Sequence, residues 1–301
     1  MVLWGLPMMF DKKKTGTEGL APFVGADFRD EDFQEIVNIL QARRAFDLGS
    51  YKDRCIKRRI ASRVRARGLT DSARYVELLD SDNDELDALL AVLTIHVSQF
   101  FRNPSTYRVI EEKILPELIK RARQSGQKEL QIWSVGCAGG EEPYSLALLL
   151  NEMPLGDLRI SILGTDVSQP ILESARRAEY DAQRLAEVPD IVREQYFERL
   201  EGTRFRLRPE VSQRVSVRRH DILTDPDYPS ADLILCRNVM IYFSREEQAK
   251  ILARFAKSLG VDGFMVLGRA ETLVGTARHL YRSDYPVERI YRCLGEPKSG
   301  D

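Results

Sequence analysis

Residues 130–143 read LQIWSVGCAGGEEP, and this stretch decides the class of fold. Its first six residues form an apolar run that predicts a strand, three glycines fall within the next five residues, and Pro143 begins a predicted helix that ends at Asn151. Glycines let a ligand approach the backbone closely, and the N-terminus of a helix offers N–H groups to an anion. The spacing is not the GxGxxG of dinucleotide sites, and a tight strand-to-helix turn without a ligand is the alternative. We favour a ligand loop, because one glycine would be enough for the turn.

Strands alternate with helices in the sequence after this loop. Further strands are predicted at residues 160–163, 215–217, 233–235 and 264–267, and helices at about 170–179 and 245–259. The alternation predicts an open, largely parallel α/β sheet, to which a last strand at 288–294 can pair antiparallel because it directly follows a loop. The alternation breaks between residues 192 and 217, where we expect a hairpin inserted into the sheet domain, with its turn at 201–203.

The first hundred residues predict helices alone. Apolar residues recur at spacings of three and four in runs that begin at Phe33, Ile56, Tyr75 and Leu86. Pro104 suits the first position of a further helix, and Pro116 is expected to kink or restart it. We therefore predict a flexible tail at residues 1–20, a helical domain at 21–103, a helical connector at 104–128 and an α/β domain at 129–301.

Composition and charge narrow the functional classes. The chain has 301 residues, of which 43% are hydrophobic, enough for the cores of about two domains. It carries 45 Lys and Arg against 46 Asp and Glu, a net charge of −1, which argues against nucleic-acid binding by bulk electrostatics. Four cysteines without a CxxC pair and three histidines exclude a zinc cluster of the usual spacing, so we predict no metal; scattered thiols fit a reducing cytosol. No stretch approaches the ~20 apolar residues of a membrane helix, so no membrane insertion is expected.

Polar residues follow several of the predicted strands. Asp166 comes directly after the second strand, where an acid in a doubly wound sheet commonly accepts hydrogen bonds from ribose hydroxyls. Its alternative role is to cap the next helix, since Ser168 and Pro170 follow. Asp221 and the pair Arg237–Asn238 also stand at the carboxyl ends of strands, the edge at which such sheets bind ligands. Together with the glycine loop, Asp166 predicts a cofactor that carries a nucleoside.

A strongly basic run lies in the second predicted helix. It contains eight cations between residues 52 and 67, with Asp53 as the only opposing charge. Because Ile56, Ile60 and Val64 form the buried stripe of this helix, the cations cover most of its remaining surface. The run is either a solvated face, balanced by acids elsewhere in the helical domain, or a docking surface for an acidic partner.

Three motifs resemble one protein family. Residues 100–102 read FFR, residues 140–145 read GEEPYS and residues 236–243 read CRNVMIYF. In this order they resemble the CheR family, chemotaxis receptor methyltransferases that use S-adenosylmethionine to methylate glutamate side chains of receptors. The resemblance runs from about residue 28 to 294 and implies a class I S-adenosylmethionine-dependent methyltransferase domain with a Rossmann-like, doubly wound sheet. It also implies an N-terminal all-α domain and a small β subdomain inserted at about residues 192–217.

The resemblance implies roles for individual residues. S-adenosylmethionine would contact His96, Ser98, Arg102, Gly136, Glu142, Asp166, Asp221, Ile222, Arg237 and Asn238. Glu142 would hold the amino group and Asp166 the ribose. Arg102 and Tyr242 would border the transferred methyl group as the catalytic residues. The basic helix would face the acidic methylation helices of a receptor, which favours the docking interpretation, and its docking cations would be Arg54, Arg58, Arg59 and Arg63.

The sequence departs from the family pattern in four places. His96 and Asp221 both stand where Asn is common, and residues 269–271 read RAE where His-Ser-Glu is common. The inserted hairpin is compact at residues 201–203, whereas relatives that dock on a receptor's C-terminal pentapeptide tend to have a longer loop, so we expect no such tether. The protein is expected in the cytoplasm, recruited to membrane receptor arrays.

The implied reaction needs no general base. A free glutamate side chain has a pKa of about 4.3, so the γ-carboxylate is already ionised at neutral pH. Two other functions stay open at this point. One is a catalytically silent adaptor that binds S-adenosylmethionine and a partner, against which the intact Arg102 and Tyr242 argue. The other is a nucleic-acid base methyltransferase, since residues 238–242 loosely resemble the NPPY motif, although both prolines and a basic excess are missing.

Overall fold

The structure is a computed structural model that describes residues 23–24, 27–44, 46, 48, 53–93 and 98–295, and of residues 53–55 the backbone alone. The tail predicted at 1–20 lies outside the described residues, as does His96. The described ranges include most of the predicted helical domain, the whole connector and nearly all of the predicted α/β domain.

Within its described residues the N-terminal domain has four helices, and an apolar stripe on each faces a common core. They are α1 (Asp30–Arg44), α2 (Asp53–Ala66), α3 (Ser72–Ser81) and α4 (Asn83–Leu93). α1 packs on α3 and α2 packs on α4, and Ile36, Ile60 and Leu86 in this core are completely buried. The carboxylate of Asp71 caps α3 by accepting a hydrogen bond of 2.9 Å from the backbone N–H of Arg74. The four predicted apolar runs are confirmed as helices.

A connector of three helical segments leads to the second domain. α5 (Pro104–Val109) passes into a π-helical turn (Ile110–Ile114), and α6 (Leu115–Ser125) continues from it. Pro116 has no N–H to donate to the carbonyl four residues earlier, so a regular α-helical ladder cannot run through this point. The π turn ends at Ile114, two residues before the proline. The expected interruption at Pro116 is confirmed.

The remaining elements build an α/β domain. In chain order they are β1 (Glu129–Val135), α7 (Glu141–Asn151), β2 (Arg159–Asp166), α8 (Gln169–Arg177), β3 (Glu179–Asp181), α9 (Asp190–Tyr196), β4 (Phe197–Arg199), β5 (Arg204–Leu207), α10 (Pro209–Ser212), β6 (Val215–Arg219), β7 (Leu233–Cys236), α11 (Arg245–Leu259), β8 (Phe264–Leu267), β9 (Tyr281–Tyr285) and β10 (Ile290–Cys293). Short 3₁₀ turns lie at Ala182–Leu185, Met240–Tyr242 and Gly275–Leu280.

Seven strands form one sheet in the order β6-β2-β1-β7-β8-β10-β9. β6, β2, β1, β7 and β8 are parallel, and β10 runs antiparallel to both β8 and β9. The chain proceeds from β1 to β2 and β6 on one side and then crosses to β7 on the other, so the strand order reverses between β1 and β7. Open α/β sheets bind ligands at the carboxyl ends of the strands beside such a switch point. The doubly wound sheet and its antiparallel last strand are confirmed.

Side chains of β1 alternate between two apolar clusters, one on each face of the sheet. Leu130 and Ile132 pack with the connector and α7, whereas Trp133 and Val135 pack with α11. Because helices cover both faces, β7 and β8 are apolar and buried at every position. Among the helices of the described residues, none combines the length and the apolarity needed to cross a bilayer.

The inserted β subdomain differs from the prediction. Its three-stranded antiparallel sheet, in the order β3-β5-β4, takes its first strand from Glu179–Asp181, before the expected start at residue 192. The expected end at 217 is also wrong, because β6 is the edge strand of the large sheet. The Glu179 carboxylate accepts hydrogen bonds from Arg204 and Arg206, and these distant partners hold β3 in place. A strand of three residues leaves no periodic pattern in the sequence. The predicted hairpin turn is confirmed, because the chain reverses at residues 201–203 between β4 and β5.

Candidate active site

A cavity opens at the switch point, where β1, β2, β6 and β7 end. It gathers side chains from the linker after α4, the loop after β1, the end of β2 and the loops after β6 and β7. Ten predicted site residues line it: Ser98, Arg102, Gly136, Glu142, Asp166, Asp221, Ile222, Arg237, Asn238 and Tyr242. The structure therefore brings together residues that the sequence places in separate motifs.

The glycine loop runs close to the protein's own side chains. Gly136 has a φ of 65°, and a Cβ there would meet Cγ2 of Val239 at 2.5 Å. Gly140 has a φ of 89°, and a Cβ there would meet the ring of Tyr144 at 2.7 Å. Both positions exclude a side chain because of conformation and close packing. The fold thus requires glycine at two of the three positions, whether or not these glycines also contact a ligand.

Asp166 ties the glycine loop to the end of β2. One oxygen of its buried carboxylate accepts a hydrogen bond of 3.0 Å from the backbone N–H of Ala138, and the other accepts one of 3.0 Å from the backbone N–H of Ser168. The contact with Ser168 orders the turn before α8, whose N-cap residue is Ser168 and not Asp166, and the position in the cavity wall fits the ligand alternative. The two are compatible, because a carboxylate offers about four acceptor positions.

Glu142 and Arg237 form a buried pair beside the cavity. Oε1 of Glu142 accepts a hydrogen bond of 2.9 Å from Ser134, and Oε2 accepts one of 3.3 Å from Nη1 of Arg237. Burial raises the pKa of the Glu142 carboxyl, and the Arg237 charge opposes this rise. Nη2 of Arg237 donates to the carbonyl of Arg102 at 2.6 Å and to Oδ1 of Asn103 at 2.8 Å. Arg237 therefore joins the start of α7 to the linker as well as lining the cavity.

The linker reaches the cavity in a strained conformation. Phe101 and Asn103 have φ values of 50° and 63°, in the left-handed region that a bulky Phe rarely adopts. The backbone N–H of Phe101 donates to Oγ of Ser145 at 2.9 Å, and the N–H of Phe100 donates to the carbonyl of Arg184 at 3.0 Å. These bonds to α7 and to the β subdomain hold Arg102 at the cavity wall.

Glu271 binds the backbone of the loop after β7. In the sequence it stands out only as part of the RAE stretch, which predicts no such contact. Its carboxylate, 4% exposed, accepts hydrogen bonds from the backbone N–H groups of Asn238 at 2.9 Å, Ile241 at 3.2 Å and Gly268 at 2.5 Å. Burial raises the pKa of the Glu271 carboxyl, and the backbone N–H groups oppose this rise. The loop that carries Tyr242 is thus bound to the sheet through one carboxylate.

Two further buried residues with titratable side chains line the cavity, and neither was predicted from the sequence. His220 follows β6; its Nε2 lies 3.1 Å from the carbonyl of Asp227, and its ring packs edge-on against Trp133. Burial lowers the pKa of the His220 imidazole, so the ring is neutral at neutral pH. Tyr107 of α5 faces the Arg237 guanidinium at 5.4 Å, and burial raises the pKa of its hydroxyl. The position of His220 one residue before Asp221 is a signal that could have found it.

The basic face of α2 is smaller than predicted. Arg58 is exposed, and the side chain of Arg54 lies outside the description. Arg63 donates to both carboxylate oxygens of the buried Glu85, at 3.0 and 2.5 Å. Arg59 is 8% exposed and donates to the carbonyl of Leu93. The docking assignment is corrected for Arg59 and Arg63, because both face the protein interior; helical periodicity cannot show that a cation beside the apolar stripe meets a partner from another helix.

Comparisons with known proteins agree with the motifs. The model of the CheR methyltransferase all-alpha domain matches residues 31–94, and that of the CheR methyltransferase SAM binding domain matches residues 96–287. A chemotaxis protein methyltransferase of Listeria monocytogenes is 33% identical over 82% of this chain and 92% of its own length. Chemotaxis protein methyltransferase 1 of Pseudomonas aeruginosa is 30% identical over 87% of this chain and 97% of its own. The matches cover both domains in the order in which the structure shows them.

Proposed function

This chain belongs to the CheR methyltransferase family, and from that premise we propose that it methylates the γ-carboxylate of glutamates on chemoreceptors. It is an S-adenosylmethionine-dependent methyltransferase of class I fold with an all-α N-terminal domain. The acceptor group, the partner and the roles of single residues are the parts that we propose.

The chemistry of the cavity fits S-adenosylmethionine. This cofactor supplies a methyl group on a positively charged sulfur, and it carries an amino acid end and a ribose. The Glu142 and Arg237 pair offers both signs of charge to the amino acid end. The Asp166 carboxylate offers acceptors to ribose hydroxyls, and Ile222 adds apolar surface to the same cavity. Ser98, Gly136, Asp221 and Asn238 are the other proposed contacts in the wall.

Arg102 and Tyr242 are proposed to orient the acceptor carboxylate. A glutamate is already ionised at neutral pH, so no residue has to remove a proton. Opposite charges disappear as the oxygen–carbon bond forms and the sulfur keeps the electron pair of the broken bond, so a tight hold on the carboxylate would slow the step. Both residues therefore act by positioning, and the products are a glutamate methyl ester and S-adenosylhomocysteine.

The observation that carries this proposal is the shared wall of the cavity. Arg102 of the linker and Tyr242 of the loop after β7 line the same cavity as Glu142 and Asp166. Tyr242 follows β7 and Asp166 ends β2, so these two residues come from opposite sides of the switch point, and Arg102 joins them from the linker. A site for the cofactor and a site for an acceptor are thereby adjacent, which favours transfer over binding alone.

The proposed partner is the acidic methylation helix of a chemoreceptor. Relatives are named chemotaxis proteins, and the exposed Arg58 on α2 gives this face a positive charge that suits an acidic helix. Location in the cytoplasm, with recruitment to receptor arrays, belongs to the same proposal. The turn between β4 and β5 is short, since the N–H of Leu200 donates to the carbonyl of Arg204, which supports docking without a pentapeptide tether.

The test is transfer of a labelled methyl group to membranes that contain chemoreceptors. The label should enter receptor protein and leave as methanol in mild alkali, because carboxylate esters hydrolyse there. Label that resists alkali, or that enters nucleic acid, would contradict the glutamate assignment. Binding of S-adenosylmethionine without any transfer would instead indicate a silent adaptor.

A further inference from the structure

We propose that Arg59 is a positioning residue for Tyr242, so that the partner-facing helix α2 also sets the geometry of the active site. The significance of Tyr242 rests on the proposed function, whereas the contact between the two side chains is independent of it.

The contact joins the two domains. The guanidinium carbon of Arg59 lies 4.4 Å from the centroid of the Tyr242 ring, and Nη1 of Arg59 donates to the carbonyl of Leu93 at the end of α4. Tyr242 and Leu93 line the cavity, but Arg59 does not. Arg59 can therefore influence a reaction in the cavity through these two neighbours.

The charge of Arg59 makes this contact strong. Within the described residues no Asp or Glu forms an ion pair with Arg59, although Arg63 one turn later pairs with Glu85. Burying a cation without a carboxylate partner costs free energy, because the cation loses its contacts with water, and other groups have to offset this cost. An aromatic ring can do so, since it attracts a cation over its face more strongly when water is excluded. The Tyr242 ring and the Leu93 carbonyl provide that compensation. The same attraction holds the ring toward α2.

Tyr242 is consequently held from two sides. Its own loop is bound to the sheet through Glu271, which accepts from the N–H of Ile241. Its ring is held from the helical domain by Arg59. A small movement of α2 on partner docking would therefore change the position of the ring while the backbone stays in place. Neighbouring cations of one helix thus divide two tasks: Arg58 faces the solvent and Arg59 faces the site.

The first test measures the contact between Arg59 and Tyr242 and does not depend on methyl transfer. The 11 tyrosines are labelled with 3-fluorotyrosine, and the fluorine resonance of Tyr242 is assigned by its loss in Tyr242→Phe. Arg59→Met keeps the bulk of the side chain but removes the cation, so the Tyr242 resonance should move while the others stay. Arg74→Met, at an exposed arginine of α3, is the control for a lost charge and should move none of them. A Tyr242 resonance that is identical in Arg59→Met and in the unchanged protein would overturn the proposal.

The second test separates positioning from docking. Arg59→Met should lower kcat about tenfold and leave KM for the receptor within about twofold, because the residue acts through Tyr242 and does not touch the substrate. Arg59→Lys should recover part of kcat, and in a Tyr242→Leu background Arg59→Met should lower it no further. A raised KM with unchanged kcat would mean that Arg59 docks the partner, and would overturn the proposal.

Failure of the proposed function and failure of the Arg59 proposal give different results in these tests. If the unchanged protein transfers no methyl group to receptors, the proposed function fails, and the fluorine resonance still decides on the contact. If Arg59→Met does not fold, Arg59→Lys carries both tests, because it keeps the charge beside Leu93 but loses the planar stacking face. In that case an unmoved Tyr242 resonance together with an unchanged kcat would overturn the proposal.

Discussion

Buried carboxylates in the helical domain and in the α/β domain accept hydrogen bonds from different kinds of donor. In the helical domain, Glu85 accepts from the side chains of Arg63 and Tyr75, both supplied by other helices. In the α/β domain, Glu271 and Asp166 accept from backbone N–H groups. A carboxylate held by side chains joins helices, whereas one held by backbone groups shapes a loop. Glu85 serves stability, and Glu271 and Asp166 serve the geometry of the site, to which Glu142 also belongs although side chains hold it.

The largest expected effect is on the stability of the helical domain. Glu85→Gln should lower the free energy of unfolding by about 3 kcal/mol, because it leaves the part-buried Arg63 without its counter-charge. Chemical denaturation followed by circular dichroism measures this loss. The control is Asp87→Asn, at an exposed ion pair with Arg44, which should cost less than about 1 kcal/mol. Equal losses in the two variants would mean that the burial of Glu85 adds nothing to the contribution of its ion pair.

Removing a group from the active site should change turnover far more than stability. Arg102→Ala should lower kcat about 100-fold, because the acceptor carboxylate loses its orientation. The thermal unfolding midpoint should change little, because the bond from Arg237 ends on the backbone carbonyl of Arg102, which the substitution keeps. Arg108→Ala, at an exposed arginine of α5, is the matched control. Full methylation by Arg102→Ala would remove this residue from the site.

Loss of a carboxylate that faces the cavity should weaken cofactor binding. Asp166→Ala should lower the affinity for S-adenosylmethionine about tenfold or more, because hydrogen bonds from ribose to a charged acceptor are lost and the loop contact at Ala138 is broken. Calorimetric titration measures the affinity. Asp157→Ala, at an exposed position before β2, should leave it unchanged. An affinity that Asp166→Ala does not alter would exclude the ribose assignment.

The smallest effect is a difference in pH dependence. Burial raises the pKa of Glu271, so its contribution to stability is complete below about pH 4 and is lost as the pH rises through its folded pKa. The Arg29 guanidinium lowers the pKa of Asp32 in the helical domain, so that contribution is present above about pH 4 and is lost as the pH falls through the lower, folded pKa.

Denaturation across this pH range tests the two signs. The stability of the unchanged protein relative to Glu271→Gln should fall by about 1.4 kcal/mol for each pH unit between the unfolded and folded pKa values. Relative to Asp32→Asn, its stability should instead fall as the solution becomes more acidic. Two differences with the same sign would contradict the distinction between Glu271, whose pKa is raised by burial, and Asp32, whose pKa is lowered by the Arg29 cation.

Local patterns predicted much of the fold. The glycine loop between β1 and α7, the strand-and-helix alternation and the apolar stripes of the helical domain all depend on neighbours within a few residues. The start of the β subdomain at Glu179 and the strand β9 (Tyr281–Tyr285) were missed, because short strands depend on a partner far along the chain. The helix predicted to reach residue 179 ends at Arg177 for the same reason.

The sequence predicted ten of the residues that line the site, but it did not predict the hydrogen bonds that join them. Of the ten predicted residues in the cavity wall, all but Ser98 come from a motif or lie at or just after the end of a strand, and both kinds of signal are local. The bonds from Arg237 to the linker and from Glu271 to the loop after β7 join segments far apart in the sequence. No rule based on the spacing of residues along the sequence predicts these bonds.

The order of strands and motifs along the chain already dictates which residues can meet, because parallel strands bring their carboxyl ends to one edge of the sheet whatever the loops between them do. What each charge does at that edge depends on tertiary packing. Arg58 and Arg59 are adjacent cations on one basic helix, yet one faces solvent and the other lies over Tyr242. A helix turns by about 100° between neighbouring residues, so identical side chains acquire different roles once a second domain covers one side of the helix.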